Sequence, residues 1–317
     1  MEQRSLGASG PSISVVGYGS WEAGGDEWGP NSSDRRVVEA MQSGLDAGMT
    51  WIDTAEVYGK GVSEQLVGRA LEGRRDGALV FTKVAPDDEG SGIRPEQIGR
   101  AIDASLARLG VDHVDLYQVH WPDDDVPLEE TWGAMAGLVS AGKARFIGVS
   151  NFDRRQVEVC QAIHPVASVQ NEFSMLTAGD RDELLPWLAE QGIGYLAYSP
   201  LAAGRLTGSM AAGARFSDDD WRSGRGRFAD WREDGEEWGF DPEPLARDLA
   251  KVEQLRPIAQ QLGVDVAALA LRWALEQTGV TAVIAGSRSA EHTRANARAG
   301  EIELDAVTRR RLDALVG

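Results

Sequence analysis

The chain has 317 residues, 42% of them hydrophobic and 26% charged, which is enough apolar material for a large buried core and the balance of a globular protein. A formal charge of −18 at pH 7 argues against nonspecific binding to nucleic acid or to an anionic membrane, since either partner would repel it. A single cysteine, Cys160, and four scattered histidines exclude an internal disulfide and a zinc cluster of the structural kind.

The first residues, MEQRSLGASGPSIS, lack the apolar stretch of a secretory signal, and no run of about 18 apolar residues follows. The expected location is the cytoplasm. Downstream, short β-branched or aromatic runs alternate with longer stretches of helical period. Strands are predicted at 14–19, 49–54, 78–83, 114–120, 145–150, 167–171, 193–199 and 281–286. Amphipathic helices are predicted between them at 34–47, 63–72, 95–109, 128–141 and 181–191, several opened by Ser, Asp or Pro. Two further helical stretches, 289–298 and 304–315, read as C-terminal packing.

Strict alternation implies an α/β fold with a parallel sheet, and eight units over this length give a closed (β/α)8 TIM barrel as a single domain spanning 1–317. The competing doubly wound sheet needs G-x-G-x-x-G after its first strand; the chain has Gly17 and Gly19 but no third glycine. Residues 201–244, rich in Gly, Arg, Asp and Trp, interrupt the rhythm and read as a long loop covering the barrel mouth.

In such a barrel, chemistry belongs where strands end. Asp53 closes the second predicted strand, Lys83 the third, His120 the fourth, Ser150 and Asn151 the fifth, Gln170 lies in the sixth, Tyr198 and Ser199 close the seventh, and Ser287 with Arg288 follow the eighth. Singly, each has an ordinary explanation: a turn cap, a solvated strand end, a satisfied core histidine. Together with Tyr58, five residues past Asp53, they place an acid, a phenol, an amine and an imidazole at one rim. A tyrosine donates a proton poorly at neutral pH because its ordinary pKa is about 10. An ammonium beside it stabilises the phenolate and lowers that value, and a carboxylate behind the ammonium keeps it charged. Asp53 is therefore expected to hold Lys83, Lys83 to tune Tyr58, and His120 to orient a carbonyl oxygen. With no activated nucleophile, metal cluster or carboxylate pair spaced for glycoside chemistry, the other half of the reaction must come from a cofactor, and a hydride is the natural partner.

The motifs GYGSW, WIDTAEVYG, VFTK, LGVDHVDLYQVHWPD, GKARFIGVSNF, SVQNEFS, YSPLAAGRLTG and AVIAGSRSAEHTRAN together resemble the aldo-keto reductases. The similar branch holds bacterial general-stress and inositol-operon-type reductases and potassium-channel β-subunits. The resemblance implies a reversible, NAD(P)H-dependent reduction of aldehydes and ketones, with Asp53, Tyr58, Lys83 and His120 as catalytic tetrad and Tyr58 as general acid. It implies that Ser150, Asn151 and Gln170 bind the nicotinamide carboxamide and that Tyr198 stacks on the ring. Gly19, Ser20 and Trp21, the segment Ser199, Pro200, Leu201 and Gly204, and the segment Gly286, Ser287, Arg288, His292 and Asn296 match its cofactor-binding positions. Because Arg288 matches the residue on the adenosine 2′-phosphate, NADP(H) is expected over NAD(H). His292 and Ala295 depart from the family's usual adenine contacts, and Gly286 stands where a lysine is common.

The implied partner is a small carbonyl or alcohol, with Trp21 and Trp121 beside the substrate. Glu172, Arg222, Arg225 and Arg227 each read equally as groups of the cleft or of the solvated surface. Trp51 reads as barrel packing. The substrate and the oligomeric state stay open, as does a nonenzymatic role as a nucleotide-binding regulatory subunit.

Overall fold

The computed structural model describes all residues except 26, 30–32, 87–92, 227–228, 230–237 and 317. An antiparallel hairpin, β1 (Gln3–Ser5) and β2 (Ser12–Ser14), precedes eight parallel strands that close a barrel. These are β3 (Val16–Gly19), β4 (Trp51–Asp53), β5 (Leu79–Val84), β6 (Val114–Val119), β7 (Ala144–Ser150), β8 (Ser168–Glu172), β9 (Gly194–Tyr198) and β10 (Ala282–Gly286), with β10 pairing β3 to complete the ring. All eight expected barrel strands are present. The first differs in one respect: the run 14–19 divides at Val15, and its start pairs with residues 3–5 instead of joining the barrel.

The helices are α1 (Asp34–Asp46), α2 (Val62–Ala70), α3 (Pro95–Leu109), α4 (Leu128–Ser140), α5 (Arg154–Ile163), α6 (Leu184–Gln191), α7 (Pro242–Leu262), α8 (Val266–Leu275), α9 (Ala290–Ala297) and α10 (Ala306–Asp313); seven were expected, and α5, α7 and α8 are additions. Local chemistry sets their ends. Pro95 occupies the first turn of α3 and Gly110, at φ 68°, closes it in the left-handed conformation that a Cβ disfavours. Asp153 and Gln156 cap α5 reciprocally. Because α7 already begins at Pro242, the expected loop 201–244 ends three residues earlier than its composition suggests.

Side chains two apart on a strand share a face. One face of the strands carries Trp51 and Asp53, Phe81 and Lys83, Leu116 and Gln118, Leu196 and Tyr198. The lower members, Trp51, Phe81, Leu116 and Leu196, join Ile284, Leu6 and Ile13 in one buried apolar cluster. Burial of aliphatic and aromatic side chains of this size contributes about 1.5–3 kcal/mol each. The Trp51 and Phe81 rings lie 4.9 Å apart. Gly17 makes room for the indole: a Cβ at that position would stand 2.2 Å from it. Trp51 is accordingly barrel packing, with its Nε1 donating to the Ser14 carbonyl at 2.8 Å. The hairpin closes the opposite end from the polar residues, held by Arg4 donating to the carbonyls of Leu275 and Val280 at 2.9 and 2.8 Å. The polar upper members are thus set on a rigid hydrophobic floor.

Candidate active site

Asp53, at the end of β4, lies in register with Phe81, and two residues on Lys83 pairs with Gln118 of β6. This brings the Lys83 Nζ to 2.5 Å from Asp53 Oδ1 and 2.9 Å from the Thr54 carbonyl, with both side chains buried. The same Nζ lies 3.5 Å from the Tyr58 hydroxyl. The other carboxylate oxygen of Asp53 accepts from Gln170 Nε2 at 2.9 Å and from Gln118 Nε2 at 3.5 Å. Two amides and an ammonium therefore hold Asp53 in one orientation.

Tyr58 is placed by backbone fit. After Asp53 the chain turns through Gly59, Lys60 and Gly61, all at positive φ (59°, 54° and 91°), before α2 begins. Gly59 packs directly on Gly24: a Cβ on Gly59 would lie 2.2 Å from the Gly24 carbonyl oxygen. That contact pins the Tyr58 turn to the short turn Trp21–Gly24. The Tyr58 ring stands edge-on to His120 with centroids 5.7 Å apart, and His120 stacks on Trp121 at 3.7 Å.

Electrostatics corrects one expectation. Burial, reinforced by the charge of Asp53, pushes the Tyr58 phenol well above its usual value instead of lowering it. Burial pulls the Lys83 ammonium below its usual value, with Asp53 opposing. Burial and the Lys83 charge hold His120 well below the ordinary histidine range, so its imidazole is neutral. Its Nδ1 is buried without a partner among the described residues.

The remaining expected residues divide into two groups. Ser150 and Gln170 are adjacent on β7 and β8, with Ser150 Oγ donating to the Gln170 carbonyl at 2.7 Å. Asn151 donates to the His120 carbonyl at 2.9 Å and accepts from the Tyr198 hydroxyl at 2.8 Å, which fixes the Tyr198 ring beside the mouth. Asn151 and Ser199 adopt left-handed backbone at φ 62° and 48°, a conformation that costs non-glycine residues about 1–3 kcal/mol and gathers at functional sites. Past Pro200 and Leu201, residues Ala202, Ala203 and Gly204 continue at φ 48°, 52° and 97°. Ser20 is committed elsewhere, its Oγ donating to the Asp53 carbonyl at 2.8 Å and contacting Ser63.

Across the mouth, β10 pairs β3 with Gly286 opposite Gly19, so the turn after β10 meets the turn after β3. Ser287 and Asn296 are buried there, and Arg288 Nη2 donates to the Trp28 carbonyl at 3.0 Å. Arg288 Nε lies 4.0 Å from Glu22 Oε2. Burial raises the Glu22 carboxyl, while Arg288, Arg222 and His292 pull it down.

The loop from 201 onward reaches the same wall. Trp221 stacks on Trp21 at 5.5 Å and meets Trp28 edge-on at 5.7 Å, and Trp21 lies 6.3 Å from Tyr58. Arg222 binds Asp220 and lies over the Trp28 ring. Arg225 is exposed, and Arg227 falls outside the described residues. Glu172 lines a cleft of roughly 600 Å³ beside Asn151, Asp180 and Tyr198, and burial raises its carboxyl. Trp121 is 43% exposed at the rim. Sequence reasoning missed Gln118, though its place two residues before His120 puts it on the same strand face; it also missed Glu22, which no spacing marks.

Among the described residues, no group of acidic, histidine or cysteine side chains is arranged to hold a metal, and no helix is long and apolar enough to cross a membrane. Residues 15–316 match the model of the aldo/keto reductase family. The chain belongs to the aldo/keto reductases. It is 36% identical over 295 residues to the aldo-keto reductase YhdN of Bacillus subtilis, covering 91% of this chain and 85% of that one. The NADH-specific methylglyoxal reductase of Escherichia coli is 30% identical over 324 residues, 96% of this chain and 95% of the relative. The solved glycerol dehydrogenase of Gluconobacter oxydans superposes with a TM-score of 0.84 at 31% identity, over 99% of this chain and 94% of that structure. Oxidoreductases are thus among the relatives, on the same closed barrel.

Proposed function

We propose that this aldo/keto reductase reduces aldehydes or ketones to alcohols, reversibly, at the mouth of the barrel. The observation that carries the reading is the buried Asp53–Lys83 pair set against the Tyr58 hydroxyl beside a neutral His120. Tyr58 gives its proton to the substrate oxygen. Burial keeps Tyr58 protonated across the working range but also makes it a weaker acid, and Lys83 offsets this by stabilising the phenolate left behind. Asp53 holds Lys83 charged in a site where burial would otherwise favour the neutral amine. His120, neutral and half of a stacked pair with Trp121, orients the carbonyl oxygen without competing for the proton. Trp21, Trp28 and Trp221 form an apolar wall that suits the nonpolar portion of a small carbonyl substrate.

The residues present fit a nicotinamide dinucleotide. Tyr198 is a half-buried ring locked by Asn151, Gln170 and Ser150 lie beside it, and the left-handed run Ala202–Gly204 has the backbone type that forms anion-binding concavities. When bound, that cofactor supplies the hydride. Tyr198 would support the ring, Asn151, Ser150 and Gln170 its amide, and the Gly286–Asn296 segment the adenosine end.

The test is turnover of a panel of aldehydes and ketones with reduced cofactor, followed across pH. With NADH, kcat/KM should stay level from about pH 6 to 8, because Tyr58 titrates above this window and His120 below it. An inflection near pH ~6.5, where free histidine titrates, that disappears in His120→Gln would contradict the neutral imidazole. Absence of turnover with every carbonyl would contradict the reaction.

A further inference from the structure

The turn after β3 and the turn after β10 meet at one edge of the barrel mouth, and the contact between them is ionic. Glu22 sends its carboxylate toward Arg288, with Oε2 at 4.0 Å from the guanidinium Nε. Burial raises this carboxyl, and the Arg288 backbone N–H that hydrogen-bonds it, together with Arg288, Arg222 and His292, pulls it back toward the charged form. Gly286 lets the two turns pack closely: a Cβ there would lie 2.9 Å from the Gly19 carbonyl oxygen, with Glu22 Oε1 in ordinary contact at 3.6 Å. Both side chains are largely covered, at 28% exposed for Glu22 and 23% for Arg288. The cluster thus has the composition of a small anion site, with a guanidinium, a backbone amide and two further basic groups, and its anion is a carboxylate of the protein itself.

Arg288 is the residue that the family resemblance assigns to the adenosine 2′-phosphate, and the expectation of NADPH rested on it alone. A phosphate arriving there meets a resident negative charge and must share or displace it, whereas a ribose hydroxyl meets an acceptor. Acidic side chains select the unphosphorylated ribose in this way in other dinucleotide-binding folds, and like charges brought together across an interface oppose binding strongly.

We infer that Glu22 is a cofactor-selecting residue of this enzyme: its carboxylate occupies the anion seat at Arg288, accepts from the adenosine ribose of NADH and opposes the 2′-phosphate of NADPH. This rests on the reading that the Gly286–Asn296 segment takes the adenosine end of the cofactor. Arg288 is then a held group, released toward a phosphate only when Glu22 gives way. Arg222, anchored on Asp220 by two oxygens, is too committed to replace it.

The experiment is a tryptophan-quenching or calorimetric titration of the full chain with NADH and with NADPH near pH ~8, well above the ordinary carboxyl range, for the wild type, Glu22→Gln and Glu22→Ala. The ratio Kd(NADPH)/Kd(NADH) should fall by about tenfold or more in both variants, a change of roughly 1.4 kcal/mol or more in relative binding. Arg288→Ala should then weaken NADPH binding more in the Glu22→Gln background than in the wild type, because there the guanidinium no longer faces a carboxylate. A ratio unchanged within about twofold in both variants, with both nucleotides binding, overturns the role of Glu22 and leaves the reductase reading intact. Failure of the wild type and the variants to bind either nucleotide overturns the cofactor reading itself, and the inference with it.

Discussion

Tyr58→Phe should lower kcat by about 10² to 10⁴, the usual worth of a positioned proton donor, while leaving cofactor affinity nearly unchanged. The substitution removes one oxygen and retains the ring. The edge-on contact with His120 and the packing near Trp21 survive. The turn that carries the ring is fixed by Gly59 against Gly24, a backbone contact that the substitution does not touch. What disappears is the hydroxyl 3.5 Å from Lys83 Nζ. Steady-state kinetics beside a binding titration separates the two quantities. Unchanged kcat would remove Tyr58 from the mechanism, whereas a collapse of cofactor binding together with turnover would mark the residue as part of the binding wall.

Lys83→Met is the second large effect, and it should appear in two measurements. Methionine keeps most of the length and volume of the stem, but leaves the Asp53 carboxylate buried with only Gln170 and Gln118 to hydrogen-bond it. Removing one partner of a buried ion pair costs roughly 3–5 kcal/mol, so the urea midpoint should fall markedly. Turnover should fall by about 10³ or more, since Tyr58 loses the charge that stabilises its phenolate. The double variant Asp53→Asn/Lys83→Met distinguishes structure from chemistry: it should regain much of the stability and none of the activity. Recovery of turnover in the double variant would mean that Lys83 supports the fold and takes no part in proton transfer.

Much of the architecture was legible because parallel strands, buried on both faces, write themselves as short β-branched runs. Residues 95–109 show the helix signals at their clearest: proline at the start, glycine just after the end, and bounds that match the structure. The hairpin was not legible. Residues 3–5 and 12–14 are too short and too polar to stand out, and their role depends on a barrel end formed by residues hundreds of positions away. The tetrad was legible because strand ends place polar residues at one rim. The structure brings the four side chains together, with Lys83 in contact with both Asp53 and Tyr58 and His120 against the Tyr58 ring.

The direction of the Tyr58 shift was not legible. Sequence shows that an ammonium stands nearby, but not how thoroughly the phenol is removed from water, and burial is the larger effect here. Glu22 was hidden for a related reason. Its significance comes from lateral pairing of the first and last barrel strands, which sets Gly19 beside Gly286 although 266 residues separate them in the chain.

The most direct test of the central claim uses reduced cofactor carrying deuterium at the hydride carbon of the nicotinamide, incubated with the purified protein and an aldehyde panel, with the product alcohols analysed by mass spectrometry. Alcohol bearing one deuterium on the former carbonyl carbon should form with the wild type and be nearly abolished in Tyr58→Phe. Binding of the cofactor with no labelled alcohol from any aldehyde would contradict that claim.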